Sequence, residues 1–197
     1  MPWLEPVTLS GPYARLEPLS QDHCDGLTEA VKDGELWKLW YTFIPRADDM
    51  RKEIDRRLGL QAAGSMLPFT VFDADGQIAG MTTYMNVDTP NRRVEIGSTW
   101  YAKRVQRSAV NTQCKLLLLA HAFEKLDCIA VEFRTHFFNH QSRRGIERLG
   151  AKVDGILRNH QIASNGTLRD TVVYSIIASE WPTVKAHLNY QLNEKPR

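Results

Sequence analysis

The ten residues Lys103-Arg104-Val105-Gln106-Arg107-Ser108-Ala109-Val110-Asn111-Thr112 set three cations directly ahead of an apolar-striped segment whose first turn holds no acid. A helix start leaves its first amide N–H groups without intrahelical partners, and the helix dipole adds about half a positive charge there. A phosphate or pyrophosphate is favoured at such a point by up to ~2 kcal/mol, and the neighbouring lysine and arginines strengthen the field. The chemistry is anion binding, in which Asn111 and Thr112 either contact the phosphate or simply start the helix.

Other reactive residue types carry weaker signals. His136 and His140 have a metal-compatible spacing for a helix, but their stretch reads as loop with no carboxylate or cysteine beside it, so no metal site is expected. Cys24, Cys114 and Cys128 form no Cys-x-x-Cys pair, and their odd number fits a reduced compartment. Cys114, in the first turns of the apolar helix, is the thiol whose pKa a helix N-terminus could lower; packing beside Leu116 and Leu117 is its plainer role. There is no Walker lysine motif and no Gly-x-Gly-x-x-Gly, so nucleotide hydrolysis and dinucleotide redox chemistry lack their usual signature. Trp37, Trp40, Tyr41 and Phe43 form an aromatic cluster suited either to gripping a substrate or to packing as core or flap.

The elements that must position these residues alternate between two periodicities. Residues 13–19 read as a first strand, and Asp22 caps a helix to about Lys32 that Asp33-Gly34 closes. A second helix starts near Asp48 or Asp49, with Met50, Ile54 and Leu58 on one face, and ends by Gly64. Residues 69–72 and 78–84 make a hairpin through Asp73-Ala74-Asp75-Gly76, and a turn at 88–91 leads into a strand over 93–101. The central helix carries Leu116, Leu119, Ala120 and Phe123 at helical spacing. A strand over 129–134 follows, with Ile129, Val131 and Phe133 on one face, then a short helix closed by Gly150. A last strand pair spans about 155–163 and 168–177, turning at Asn165-Gly166. The fold class is α+β.

With 197 residues, 43% of them hydrophobic, the chain can bury one sizeable core, and no linker-like stretch divides it. A single domain over 1–197 is expected, with its core at about 10–180, a C-terminal tail at about 181–197, and 193–197 loose. A formal net charge of +2 is too small for a general nucleic-acid binder, since the one basic cluster is accounted for by a phosphate ligand. The absence of an 18-residue apolar run and of a signal-peptide pattern at Met1-Pro2-Trp3-Leu4-Glu5 implies a cytoplasmic protein with no membrane partner.

These residues also carry a resemblance. The run Glu95-Ile96-Gly97-Ser98-Thr99-Trp100, the segment from Gln106 to Thr112, Lys115-Leu116-Leu117-Leu118-Leu119 and His121-Ala122-Phe123-Glu124 resemble the acetyl-coenzyme A site of the GNAT N-acetyltransferases. The nearest branch is the RimJ/RimL type, named for ribosomal-protein N-terminal acetyltransferases. Arg134-Thr135 through Asn139 to Ser142, Ile146 to Ala151, and Arg169 to Ile176 extend the likeness over roughly 10–180. It implies a mixed, mostly antiparallel sheet flanked by helices, with coenzyme A at the splay between the fourth and fifth strands. It also implies that Trp100, Tyr101, Arg104 through Thr112, Asn139 and Ser142 bind the coenzyme. In the family's pyrophosphate pattern, Gln/Arg-x-x-Gly-x-Gly/Ala, Arg104 and Ala109 hold the outer positions here, but the middle glycine is Arg107. That residue implies either an ordinary backbone at this point or an altered grip.

Acetyl transfer from a thioester requires a neutral amine, a stabilised oxyanion and a proton or positive field for the departing thiolate. The resemblance makes Glu95 the first candidate base; the alternative is a strand-surface carboxylate paired with Arg92 or Arg93. His160 and Glu132 are weaker candidates. The loop glutamate of RimL-like enzymes corresponds to Gln161, which takes no proton, and the acid tyrosine of many family members corresponds to Ile146. The resemblance instead points to Ser142 facing the sulfur and Asn139 holding the coenzyme arm, while either residue could also cap the helix that ends at Gly150. The aromatic cluster lies where this superfamily places part of its acceptor cleft. Weak base machinery suits an α-amine, of pKa ~7.7–8.0, better than a lysine side chain near 10.4. The expected activity is therefore acetyl-CoA-dependent transfer to a peptide or protein N-terminal α-amine. Small-molecule amines such as an antibiotic or a polyamine, and a non-catalytic acyl-CoA-binding module, are the alternatives. A homodimer is left open.

Overall fold

Alternating apolar positions build one mixed sheet, and helical apolar stripes cover its faces. The computed structural model describes residues 3–194. In chain order the elements are β1 (Leu9–Ser10), β2 (Ala14–Pro18), α1 (Cys24–Lys32), α2 (Met50–Ala62), β3 (Met66–Asp73), β4 (Ile78–Asp88), β5 (Arg93–Tyr101), α3 (Val110–Glu124), β6 (Ala130–His136), α4 (His140–Glu147), β7 (Lys152–Ile162), β8 (Leu168–Ile177) and α5 (Trp181–Asn193). The strands form a single sheet in the order β1-β2-β3-β4-β5-β6-β8-β7.

Every strand pair is antiparallel except β5–β6, which the α3 crossover makes parallel. That pair is short. Arg93, Val94 and Glu95 face Ala130, Val131 and Glu132, and then β5 runs on to Tyr101 and β6 to His136 without pairing. The two strands thus open into a splay, between what the sequence counts as the fourth and fifth strands; the unforeseen β1 makes them β5 and β6.

Cross-strand register sorts the side chains between two faces. Tyr84 pairs with Ile96, and the Tyr84 hydroxyl donates to the Leu118 carbonyl of α3 at 2.5 Å, so Tyr84, Ile96 and Val94 face α3. Glu95, Gly97 and Thr83 point to the opposite face, beneath α2, whose Arg57 donates to Thr83 Oγ1 at 2.7 Å. Between Met81/Trp100 and Thr83/Gly97 the register slips by one residue, and Ser98 (φ 48°) is the extra residue of a bulge in β5. Arg57, almost wholly buried, donates to the Ser98 carbonyl at 3.2 Å and to Glu53 Oε1 at 2.7 Å, clamping the bulge from α2.

Several expectations change. Residues 181–193 form helix α5, which docks Trp181, Val184, Leu188 and Leu192 and stacks the Trp181 ring on Phe123 of α3 at 5.4 Å. Residues 195–197 of the expected loose end lie outside the described residues. Because α3 is held between the sheet and α5, its most buried stripe is Val110, Cys114, Leu118 and Ala122 with Leu119, while Leu116, Ala120 and Phe123 are only half-buried. Ser20, rather than Asp22, caps the first helical turn, its hydroxyl accepting the Asp22 N–H at 3.2 Å. Ile129 lies just outside β6 and is 44% exposed.

Candidate functional site

The basic turn is built to present backbone. Val105, Ala109 and Val110 sink their side chains into the core. Ser108 Oγ donates to the Val105 carbonyl at 2.6 Å and accepts the Val110 N–H at 3.3 Å, while the Gln106 side-chain amide holds the Tyr101 carbonyl at 3.0 Å. No side chain caps α3 and its first turn is free of acids, so the amides of Asn111 and Thr112 remain available to an anion. Thr112 itself is buried.

Arg107 resolves the question of the missing glycine. Its φ is +60°, the left-handed conformation that glycine adopts without penalty, so the turn keeps its shape with an exposed guanidinium at its apex. For an L-residue this costs about 1–2 kcal/mol. Arg104 departs from its expected role: its guanidinium pairs with Asp73 and donates to the Ile78 carbonyl at 3.0 Å, and its amide donates to Asp33 Oδ2 at 2.8 Å. It braces the turn against the β3–β4 hairpin, so that among the described residues Lys103 and Arg107 are the cations of the turn without an ion-pair partner.

At the vertex of the splay, Glu95 is 5% exposed. It is neither on the surface nor paired with Arg92 or Arg93, which hold Asp127 and Glu132 instead. Asn86, at a bulge in β4, donates to Glu95 Oε2 at 2.7 Å, and Arg134 Nε lies 3.6 Å from the same oxygen. Oε1 lies over Gly97 beside Met85 Sδ, and a Cβ on Gly97 would come within 2.8 Å of both. Burial raises the Glu95 pKa above the usual carboxylate range, outweighing the Asn86 hydrogen bond and the Arg134 charge. Beside it lies a cavity of about 230 Å³ lined by Asp88, Glu95 and Glu132 with Asn86, Arg93 and Arg134. Its lining thus sets three carboxylates beside two guanidiniums, with Arg134 between Glu95 and Glu132.

The alternative bases are less well placed. Glu132 is committed to Arg93 and Arg134, and His160 lies exposed on β7, its Nδ1 3.1 Å from Thr171 Oγ1. Gln161 belongs to strand β7, paired with Arg169, and not to a loop. Asn139 is the N-cap of α4, its side-chain oxygen accepting the Ser142 N–H at 3.0 Å, and Ser142 is half-buried in the first turn of that helix. Ile146 is core. Cys114 takes its plainer role, packed in the core: burial pushes its thiol up to about 12 despite the Lys115 charge, and all three cysteines are buried and free. His136 and His140 share no helix, since one ends β6 and the other opens α4, and among the described residues no cluster of three or more His, Cys, Asp or Glu could hold a metal.

Of the aromatic cluster, Trp40 and Tyr41 reach the site, their rings 5.2 and 6.3 Å from His136. Trp37 is half-buried and Phe43 is 75% exposed. Sequence reasoning missed Asn86 and the Glu53–Arg57 clamp. The clamp's four-residue spacing is a helix ion-pair signal, but that pattern ordinarily marks a surface.

A model of the GNAT acetyltransferase domain matches residues 14–152. "Putative ribosomal N-acetyltransferase YdaF" of Bacillus subtilis (strain 168) is 35% identical over 107 residues, 54% of this chain and 57% of that protein, so the match spans little more than half of that relative's length. The crystal structure of a GCN5-related N-acetyltransferase from Brucella melitensis superposes with a TM-score of 0.87 at 31% identity, covering 98% of this chain and 88% of that one. Mycobacterium smegmatis RimJ, in complex with CoA-disulfide, shares the fold with a TM-score of 0.80 at 20% identity, over 94% and 95% of the two chains.

Proposed function

Because the chain belongs to the GNAT acetyltransferase family, we propose that it transfers the acetyl group of acetyl-coenzyme A to the N-terminal α-amine of a peptide or protein. The observation that carries this reading is the buried Glu95 carboxylate at the vertex of the splay, with one oxygen held by Asn86 and the other lying over Gly97 beside Met85 Sδ. The α3 start and the left-handed Arg107 turn fit the pyrophosphate, and the gap between β5 and β6 fits the extended arm.

In this mechanism Glu95 removes the proton of the incoming ammonium, directly or through water, and the freed nitrogen attacks the thioester carbonyl. The oxyanion forms beside the β5 bulge, where Ser98 lies outside the ladder and Arg57 holds its carbonyl away. As the C–S bond breaks, the nitrogen gives up its second proton and the Ser142 hydroxyl relays a proton to the departing sulfur, so that the amide and the thiol both leave neutral and Ser142 is restored. A raised Glu95 pKa makes a stronger base, and an α-amine that is about a tenth neutral at pH 7 needs little more. The name of the YdaF relative, a ribosomal N-acetyltransferase, supports the choice of acceptor.

A thiol-release assay with acetyl-coenzyme A, run on free N-terminal peptides beside small amines, tests the proposal. Peptide turnover that falls at least about a hundredfold in Glu95→Gln is expected from loss of general-base catalysis. Turnover of a small amine alone would refute the acceptor, and unchanged peptide turnover in the variant would refute the base.

A further inference from the structure

His136 ends β6 almost wholly buried, on the same sheet face as Glu132 and Arg134 and hence as Glu95. Its Nδ1 accepts the Phe138 N–H at 3.1 Å, which fixes the proton of the neutral ring on Nε2. That Nε2 has no hydrogen-bond partner among the described residues. Around it stand the rings of Trp40, Tyr41 and Phe138, with centroids 5.2, 6.3 and 5.8 Å away; Trp40 and Phe138 are themselves more than half exposed, while Nε2 beneath them is out of contact with solvent. Buried donors are ordinarily satisfied, and this one, covered by rings that are themselves at the surface, has nothing to bond until those rings shift to admit a partner.

Resting on the Glu95 reading above, we propose that His136 Nε2–H donates to a backbone carbonyl of the acceptor peptide, several residues in from the reacting amine. Distance sets the chemistry of that acceptor. Glu132, the cross-strand neighbour of Glu95, lies four residues from His136 along β6, or about 13 Å of extended strand. A small amine docked at Glu95 does not span that gap. An extended peptide does so in about four residues, and its carbonyls recur whatever its sequence. The face of the sheet separates this donor from the coenzyme arm, which belongs in the gap between the strands. Burial and the nearby Arg169 hold the ring below its usual pKa, so it is neutral, with its donor intact, at pH 7.

The test compares kcat/KM for peptides of two to five residues with free N-termini, in the wild type and two variants. His136→Asn keeps an oxygen within reach of the Phe138 N–H but loses the outer donor, whereas the longer amide of His136→Gln reaches the Nε2 position. In the wild type the tetrapeptide should exceed the dipeptide about tenfold, the worth of one hydrogen bond. That ratio should fall towards one in His136→Asn and recover in His136→Gln, with coenzyme A affinity by calorimetry equal in all three. An unchanged ratio in His136→Asn, no length preference in the wild type, or coenzyme affinity lost in step with turnover overturns the inference. If the protein binds coenzyme but turns over no peptide, the proposed function fails instead, and ¹⁵N NMR of the His136 ring on adding the tetrapeptide then decides the inference: a shift of Nε2 supports it, and none overturns it.

Discussion

Replacing Lys115 with methionine is expected to stabilise the protein near neutral pH. The Nζ of this buried α3 lysine lies 3.1 Å from Thr99 Oγ1 and 3.4 Å from Thr82 Oγ1, and among the described residues no carboxylate pairs with it. Burial pulls its pKa from 10.5 down to about 8. At 1.36 kcal/mol per pKa unit, holding the charged form in the fold costs about 3 kcal/mol at pH 7. Between pH 8 and 10.5 the unfolded chain still binds the lysine proton and the folded chain does not, so the destabilisation due to Lys115 fades with rising pH through that window. Cys114, pushed up to about 12, stays a neutral thiol throughout. Thr82 and Thr99 are 2.8 Å apart and keep each other as partners, so methionine strands neither hydroxyl. Urea unfolding of both proteins should show the variant more stable by about 2–3 kcal/mol at pH 7, with the difference under about 1 kcal/mol at pH 10. A variant less stable at pH 7, or an advantage that persists unchanged at pH 10, would refute the reasoning.

Three further outcomes follow from the site. Gly97→Ala places a Cβ 2.8 Å from Glu95 Oε1 and should lower kcat by about ten- to a hundredfold through carboxylate displacement, with coenzyme affinity by calorimetry preserved. Burial holds the Glu95 pKa up, so the group loses its charge as pH falls through a value above the usual carboxylate range; the acid limb of the kcat/KM profile should lie there and vanish in Glu95→Gln. Arg57→Met leaves the Ser98 carbonyl and Glu53 without their clamp and should cost about 3 kcal/mol, seen as a Tm drop of about 6–12 °C; a drop under about 2 °C would contradict the clamp.

What was legible in the sequence follows the range of the forces involved. The alternation from Arg93 to Tyr101 and the acid-free start of α3 are local, and β5 and the start of α3 lie where they were expected. Helix α5 has a readable apolar spacing, Trp181, Val184, Leu188 and Leu192, but Pro182 looks like a breaker unless it is placed in the first turn of a helix, where its missing N–H costs nothing. The left-handed φ of Arg107 is illegible because arginine has no preference for it; the packed neighbours Val105, Ala109 and Val110 impose it. The burial of Glu95, Lys115 and His136 is not legible, because polar side chains usually lie at the surface and only the cover of α2, α3 and the Trp40 segment buries these.

Calorimetric titration with acetyl-coenzyme A, of the wild type and of Arg107→Glu, tests the central claim most directly. Reversing the charge at the apex of the left-handed turn should weaken binding about tenfold or more at low salt, while the wild type binds with one site per chain. A folded wild type that binds no acetyl-coenzyme A, or a variant that binds it equally well, would contradict the account.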